Sequence, residues 1–137
     1  MRIRKLCNLF KLKINIKEWS RYIYMKIIKC KSGNIVMVLN EMADVSDKIV
    51  KANAVDASFE KHIPQYKILG DKVEIFVNHV MEEDHYIEWI LVDYGNEQIV
   101  KHFVSGDEPK VLVDYKPDMK AYSYCNKHSL WINDKIK

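Results

Sequence analysis

Four of the five histidines in this sequence, and one of its three cysteines, fall in three short segments. Imidazole nitrogen and thiolate sulfur are both common metal ligands. Together the segments offer four imidazoles and one thiolate, which predicts one metal site assembled from distant parts of the chain. The fifth histidine, His102, stands alone, and we expect it to be exposed. The three segments are 60–64, 79–85 and 125–128.

The spacing within two of these segments limits how they can surround an ion. His79 and His85 would lie about 20 Å apart on a strand and would point about 120° apart on a helix. Only a curled loop can therefore bring both imidazoles to one ion. Cys125 and His128 are three residues apart, and a tight turn at a strand end lets both reach the same metal.

The ligand types favour iron or copper. Structural zinc sites are tetrahedral and usually richer in cysteine, and calcium and magnesium prefer oxygen. Imidazoles with one thiolate suit iron or copper, and five ligands leave one octahedral position free for a small molecule. An alternative interpretation stays open, in which the histidines are unrelated surface residues and the cysteine is a buried thiol.

Length and composition fit one compact domain. The chain has 137 residues, of which 48% are hydrophobic and 30% charged. Its longest unbroken apolar stretch, 35–39, is far shorter than the roughly 20 residues that cross a bilayer. Three scattered cysteines (Cys7, Cys30 and Cys125) argue against a secreted disulfide framework and for a reducing compartment. Because no export signal is recognisable either, we predict a cytoplasmic protein without a membrane partner.

The basic charge is concentrated at the beginning of the chain. Residues 1–24 hold seven Lys/Arg and one Glu, a net charge of +6, whereas residues 25–137 hold 15 Lys/Arg and 18 Asp/Glu, a net charge of −3. The mildly acidic remainder argues against a nucleic-acid partner. We predict that 1–24 form a basic extension that arises from an upstream start, with Met25 as the functional start; a basic docking arm is the alternative.

From residue 35 onward the sequence has the pattern of short strands. After a turn at Gly70-Asp71, the apolar residues Val73, Ile75 and Val77 occupy every second position, the spacing that places side chains on one face of a strand. No segment of ten or more residues beyond the N-terminal extension has a helical period. The pattern predicts an all-β protein, an immunoglobulin-like β-sandwich with a short N-terminal extension. Further runs of this kind are 86–92, 97–103, 110–115 and 120–125.

Three strings carry a resemblance to a known family: FEKHIP (59–64), NHVMEEDHYIEW (78–89) and YCNKHSLW (124–131). They closely resemble, in the same order, the iron-site motifs of the superoxide reductases, the neelaredoxin and desulfoferrodoxin group. The resemblance covers roughly residues 50–133. It implies an immunoglobulin-like sandwich that holds one mononuclear iron (Fe2+/Fe3+) with four equatorial histidines and an axial thiolate. The implied ligands are His62, His79, His85, His128 and Cys125.

The resemblance also implies an activity, an electron donor and two residues that assist the reaction. Family members reduce superoxide by one electron to hydrogen peroxide, a detoxifying reaction in oxidative stress, with electrons from rubredoxin or a similar carrier. Glu60 matches the glutamate that can occupy the sixth position of the oxidised site. Lys61 matches the lysine that draws superoxide to the reduced site, and a cation beside an open metal site does raise the capture rate of a small anion. Members are commonly homodimers or homotetramers.

This sequence departs from the family pattern in three places. Many relatives have proline where Val80 stands and glycine where Ser129 stands, so the order of these loops is less constrained here. Residues 25–48 resemble the start of the small desulforedoxin-type domain, but only Cys30 of its cysteines remains. We therefore predict a degenerate segment at 25–48, without its own metal, before an iron-binding domain at 49–137.

Two other kinds of function compete with the enzyme interpretation. A cupredoxin-like electron carrier would also be a β-sandwich with a Cys-His cluster, but it would need a methionine shortly after His128, and none follows. A structural or interaction module, in which the metal only stabilises the fold, is the other alternative. Measured turnover distinguishes an enzyme from both.

Overall fold

The computed structural model describes residues 26–38 and 48–137, and β-strands are the regular structure found there. The predicted all-β class is therefore confirmed for this part of the chain. The basic extension predicted for 1–24 lies outside it. Within the same ranges, no helix is long and apolar enough to cross a membrane. The chain divides after Val50 into two units, which are described separately.

The first unit contains a small antiparallel sheet. Its strands are β1 (Lys26–Lys29), β2 (Ile35–Val38) and β3 (Lys48–Ile49), in the order β2-β1-β3. A tight turn joins β1 to β2, where the N–H of Gly33 donates to the carbonyl of Cys30 (2.9 Å). Cys30 is a half-buried free thiol. Strands thus occur within the segment 25–48, and its kinship with a desulforedoxin domain stays a prediction.

The second unit contains seven strands in two antiparallel sheets, the general layout of an immunoglobulin-like sandwich. The three-stranded sheet has the order β4-β5-β8, and the four-stranded sheet has the order β10-β9-β6-β7. This arrangement confirms the predicted sandwich. The strands are β4 (Gln65–Leu69), β5 (Lys72–Phe76), β6 (Ile87–Asp93), β7 (Gln98–His102), β8 (Lys110–Asp114), β9 (Lys120–Cys125) and β10 (Ser129–Asn133).

The core lies between the two sheets, and the strand patterns show why. In β5, Val73 and Ile75 are fully buried while their neighbours face outward, as period-two alternation requires. Strand β6 lies between β7 and β9 in its sheet and is buried at almost every position. Burial of these aliphatic side chains supplies most of the driving force for folding.

One turn was predicted from the sequence, and two strands were not. The predicted Gly70-Asp71 turn joins β4 to β5, and its glycine has φ of 69°, a conformation open to glycine at little cost. The strands β4 and β10 were not among the predicted runs. Strand β4 is an edge strand without a fully buried residue, and β10 buries two consecutive residues, Leu130 and Trp131, so neither shows clean alternation.

Candidate metal centre

The predicted ligand residues all lie at one end of the sandwich, where the two sheets meet. Before β4 comes His62, and His79 follows β5, so the three-stranded sheet contributes these two. The four-stranded sheet contributes the other three: His85 precedes β6, Cys125 ends β9, and His128 precedes β10. Residues up to 66 positions apart in the sequence thus meet in space.

One potential ligand atom from each of the five residues lies within 4.8 Å of every other. The closest pairs are His62 Nε2 to His128 Nδ1 at 3.0 Å and His85 Nε2 to His128 Nδ1 at 3.3 Å. The sulfur of Cys125 lies 3.4 Å from His79 Nε2 and 3.7 Å from His128 Nδ1. Donors bound at about 2.0–2.3 Å to one ion would be about 3 Å apart when adjacent and about 4–4.6 Å apart when opposite. The cluster therefore has the dimensions of a single-ion site.

The four imidazoles form a ring, and the sulfur lies on its axis. Successive rings in the order His62, His79, His85, His128 have centroids 4.6–5.0 Å apart and are inclined to one another by 67–87°. The Cys125 sulfur contacts two opposite members of this ring, His79 and His128, so it lies above the centre rather than along an edge. Four nitrogens and one sulfur thus surround a common centre.

The two histidines of the three-stranded sheet, which we call the anchored pair, are oriented by backbone carbonyls. Nδ1 of His62 donates to the carbonyl of Ser58 (2.6 Å), and Nδ1 of His79 donates to the carbonyl of Val80. Because a carbonyl only accepts, each Nδ1 carries the proton and each Nε2 presents a lone pair to the centre. Burial lowers the pKa of His62, and it lowers the pKa of His79 to about 4. Both rings are therefore neutral at pH 7, the form that binds metals.

The two histidines of the four-stranded sheet, which we call the turn pair, are held differently. Within the described residues, the ring nitrogens of His85 and His128 have no backbone hydrogen bond. Strand pairing positions His128 instead, because it lies in the three-residue loop that joins Cys125 to its partner Ser129 in the β9–β10 hairpin. Ser129, the first residue of β10 after this loop, has a left-handed φ of 65°. This is where the family pattern has glycine.

Cys125 is the most deeply buried member of the cluster, with no exposed surface. Burial raises the pKa of its thiol, although hydrogen bonds from the backbone at Lys127 and His128 partly oppose the shift. Without a metal the thiol is protonated at pH 7, so binding of an ion must release this proton. His79, His85 and His128 are partly exposed, and the cluster thus has a buried thiol side and a side that solvent reaches.

Three further residues support the cluster and were missed by the sequence analysis. Trp131 stacks on His62, with ring centroids 4.9 Å apart, and its Nε1 donates to the carbonyl of His128 at 2.9 Å. The buried hydroxyl of Ser123 donates to the carbonyl of His62 at 2.7 Å. Asn126 hydrogen-bonds on both sides of His85. Trp131 and Asn126 lie inside the YCNKHSLW string, whereas nothing in the sequence singled out Ser123.

The other predicted site residues lie outside the five-residue cluster. Glu60 and Lys61 are exposed on the turn that leads into His62. Lys61 and His79 line a cleft of about 620 Å³ together with Lys67 and Lys110. His102 is exposed at the end of β7, as expected. The cleft is also lined by Glu74 and Glu108, so it holds three lysines and two glutamates beside one of the five residues, His79.

Fold and cluster define a class of protein: a small antiparallel β-sandwich with a mononuclear metal site of four histidines and one cysteine. Within the described ranges this is the one cluster of His, Cys, Asp or Glu side chains that could hold a metal ion. The donor set is too large for a tetrahedral structural zinc site and suits iron or copper.

Comparison with known proteins gives the family. The desulfoferrodoxin family model matches residues 54–134. The chain is 36% identical over 118 residues to a desulfoferrodoxin homolog of Archaeoglobus fulgidus, an alignment that covers 78% of this chain and 94% of that protein. This chain belongs to the desulfoferrodoxin family.

Two further relatives are named for an activity. The superoxide reductase of Pyrococcus horikoshii is 32% identical over 98 residues, which cover 55% of this chain and 85% of that protein. The crystal structure of the superoxide reductase from Treponema pallidum superposes with a TM-score of 0.61 at 25% identity, and the superposition covers 78% of this chain and 98% of that one.

Proposed function

We propose that this protein is a superoxide reductase with one mononuclear iron per chain. The reaction combines superoxide, one electron and two protons to give hydrogen peroxide, and it releases no oxygen. The observation that carries the proposal is the ring of four imidazoles with a sulfur on its axis, in a chain whose relatives include proteins named superoxide reductase.

The ligands we propose for the iron are the five residues of the cluster. Bound iron would alternate between Fe2+ and Fe3+ and so supply the single electron. The Cys125 thiolate would donate electron density to the iron, as thiolate ligands do in other iron proteins. Solvent supplies the protons, since it reaches the side formed by the partly exposed histidines. The proposed ligands are His62, His79, His85, Cys125 and His128.

Lys61 attracts the substrate. Its exposed ammonium group lines the same cleft as His79, and a cation beside an open site raises the local concentration of a small anion. Lys61→Ala should slow the second-order reaction with superoxide about tenfold and weaken its dependence on ionic strength.

The matched control for Lys61 is Lys67→Ala, which removes the same charge from another lysine of the cleft. Its effect should be smaller, because Lys67 lies on β4 rather than beside His62. Equal slowing by the two variants would assign the effect to the general field of the cleft and remove the special role of Lys61.

Glu60 would be an additional ligand for oxidised iron. Its carboxylate precedes Lys61 on the exposed turn, and carboxylate oxygen is a suitable ligand for ferric iron. Glu60→Gln should shift the visible absorption of the oxidised protein and leave the reduced protein able to react. An unchanged spectrum would contradict this role.

The decisive experiment measures iron content, the visible spectrum before and after oxidation, and superoxide consumption with a supplied reductant. We expect one iron per chain, a colour band that appears on oxidation, and consumption of superoxide without evolution of oxygen. Cys125→Ser should lose the band and at least 99% of turnover, whereas Cys30→Ser, a free thiol of the first unit, should keep both. Zinc or copper in place of iron, or iron without turnover, would contradict the proposal.

Partners and location complete the proposed function. The electron donor is rubredoxin or a similar small carrier, and reduced rubredoxin should re-reduce the oxidised protein over repeated cycles. The protein is a homodimer or homotetramer, and a sedimentation mass equal to one chain would contradict this. A cytoplasmic location is supported by Cys30, a free thiol outside the metal cluster.

A further inference from the structure

Asn126 connects the Cys125–His128 hairpin loop to the loop that carries His85. Its side-chain Oδ1 accepts the N–H of Tyr86 at 3.0 Å, and its Nδ2 donates to the carbonyl of Asp84 at 3.0 Å. Its own backbone N–H also donates to the carbonyl of Tyr86, at 3.2 Å. Three hydrogen bonds from one residue therefore hold the backbone on both sides of His85.

The orientation of the His85 ring depends on these backbone bonds, because the ring lacks the hydrogen bond to a backbone carbonyl that orients each ring of the anchored pair. The polar contact of its ring within the described residues is with His128, at 3.3 Å. The preceding residues, 82–84, are acidic and exposed, and a β-bulge interrupts the pairing of β6 with β9 just after His85, between Ile87 and Trp89. Regular strand pairing thus begins beyond His85. Two backbone hydrogen bonds with Glu82, at 2.9 and 3.4 Å, hold His85 itself, and the Asn126 side chain fixes the backbone at 84 and 86 on either side of it.

We propose that Asn126 is a positioning residue for the metal centre. By fixing the backbone on either side of His85, it holds the His85 imidazole in the ring of four histidines. The inference rests on the proposed function for the identity of the metal, whereas the three hydrogen bonds of Asn126 are independent of that function. Partners that orient a metal ligand commonly change metal affinity 10–100-fold when they are removed.

Metal affinity of the full-length protein tests this role, with Co2+ as a spectroscopic probe so that superoxide turnover is not needed. Asn126→Ala should weaken Co2+ binding about 10–100-fold and change the visible bands of the complex as one nitrogen ligand loosens. Asn126→Asp keeps the acceptor for Tyr86 and loses the donor to Asp84, so its effect should be intermediate. Should Asn126→Ala not fold, Asn126→Asp carries the test.

The matched control is Asp93→Ala, at the opposite end of β6. The Asp93 carboxylate also accepts two hydrogen bonds, from the backbone N–H of Gly95 at 2.8 Å and from Gln98 at 2.9 Å. Its loss should lower the melting temperature and leave Co2+ affinity unchanged. Equal losses of affinity in Asp93→Ala and Asn126→Ala would show that only general stability matters and would overturn the proposal.

A double-mutant cycle identifies the residue through which Asn126 acts. In a His85→Ala background, Asn126→Ala should cost no further Co2+ affinity, because the ligand that it positions is gone. A full additional loss in that background, or an unchanged affinity in Asn126→Ala alone, would refute the role. Failure of the proposed function would look different: Co2+ affinities would follow the expected pattern while the iron-loaded protein consumed no superoxide.

Discussion

The two sheets of the sandwich each deliver two histidines to the metal centre, but they hold them by different means. On the three-stranded sheet, the rings of the anchored pair, His62 and His79, are each fixed by a hydrogen bond to a backbone carbonyl. On the four-stranded sheet, the rings of the turn pair, His85 and His128, take their direction from the loops that carry them.

The difference indicates that the two halves are preorganised to different degrees. The anchored pair has its tautomer and ring direction set before a metal arrives, so binding costs little conformational entropy there. The turn pair lies in loops, one of them curled and acidic, and its order depends on a few hydrogen bonds. We expect variants to perturb the two halves unequally.

The largest effects on turnover and metal binding should come from single substitutions of a histidine, one variant for each pair. His79→Ala and His85→Ala should each reduce superoxide turnover more than 100-fold, but His79→Ala should weaken metal binding about tenfold more, because a preorganised ligand contributes more of its interaction energy to binding. Titration of the metal-free variants with Co2+ measures this. Equal affinities would show that the carbonyl anchors do not matter.

A substitution at Trp131 should affect both halves at once. The indole stacks on His62 and hydrogen-bonds to the carbonyl of His128, so Trp131→Phe keeps an aromatic ring and leaves a partly buried carbonyl without its donor. We expect a loss of about 2 kcal/mol in the free energy of unfolding and weaker metal binding, measured by urea denaturation and Co2+ titration. Trp89→Phe, which alters the stack of Trp89 on Tyr124, should leave metal affinity unchanged; a similar loss there would assign the Trp131 effect to packing alone.

Strain at Ser129 should be relieved by glycine. A residue with a side chain pays about 1–2 kcal/mol for the left-handed conformation, whereas glycine adopts it freely but loses more backbone entropy on folding. Ser129→Gly should therefore stabilise the protein by about 1 kcal/mol and sharpen the order of the turn pair. Asp118 also has a positive φ, of 64°, and Asp118→Gly should give a smaller gain because aspartate tolerates this conformation. Destabilisation by Ser129→Gly would contradict the strain interpretation.

The smallest effect should come from the ion pair of Lys72 and Asp114, which joins β5 to β8 at the end of the sheet away from His79. A hydrogen bond from Lys72 holds the pKa of Asp114 below its ordinary value. A carboxylate with a lowered pKa stabilises the fold above its ordinary pKa, about 4, and this contribution disappears as the pH falls through the lowered value. Asp114→Asn should reduce the loss of stability on going from pH 7 to pH 3, slightly, since the pair is exposed. A change in metal affinity at pH 7 would show that this end of the sheet communicates with the site.

The fold class followed from the sequence because alternation at Val73, Ile75 and Val77 reflects the geometry of a half-buried strand. Neither β4 nor β10 could be found in this way: β4 is an edge strand with no fully buried position, and β10 starts at a residue with positive φ. An alternating sequence pattern indicates which side chains are buried. These two strands lack such a pattern and are recognised in the structure by their hydrogen-bonded pairing with a neighbouring strand.

The sequence predicted which residues form the candidate site, but not which of their atoms face the centre. The three strings picked out all five residues that the structure brings together. Which nitrogen each anchored imidazole presents depends on the carbonyls of Ser58 and Val80, contacts that any residue type could make through its backbone. Asn126 and Trp131 stood inside a quoted string, yet their roles depend on loops that meet only in the folded domain.

The spread of the donors along the chain has a consequence for biosynthesis. His62 emerges from the ribosome long before His128, which stands 66 residues later, and no partial chain can assemble the complete ring. Strands β9 and β10 must pair before the hairpin that carries Cys125 and His128 exists. Iron would therefore be acquired after translation of these strands, and its ligands would join the two sheets and close loops of very different length.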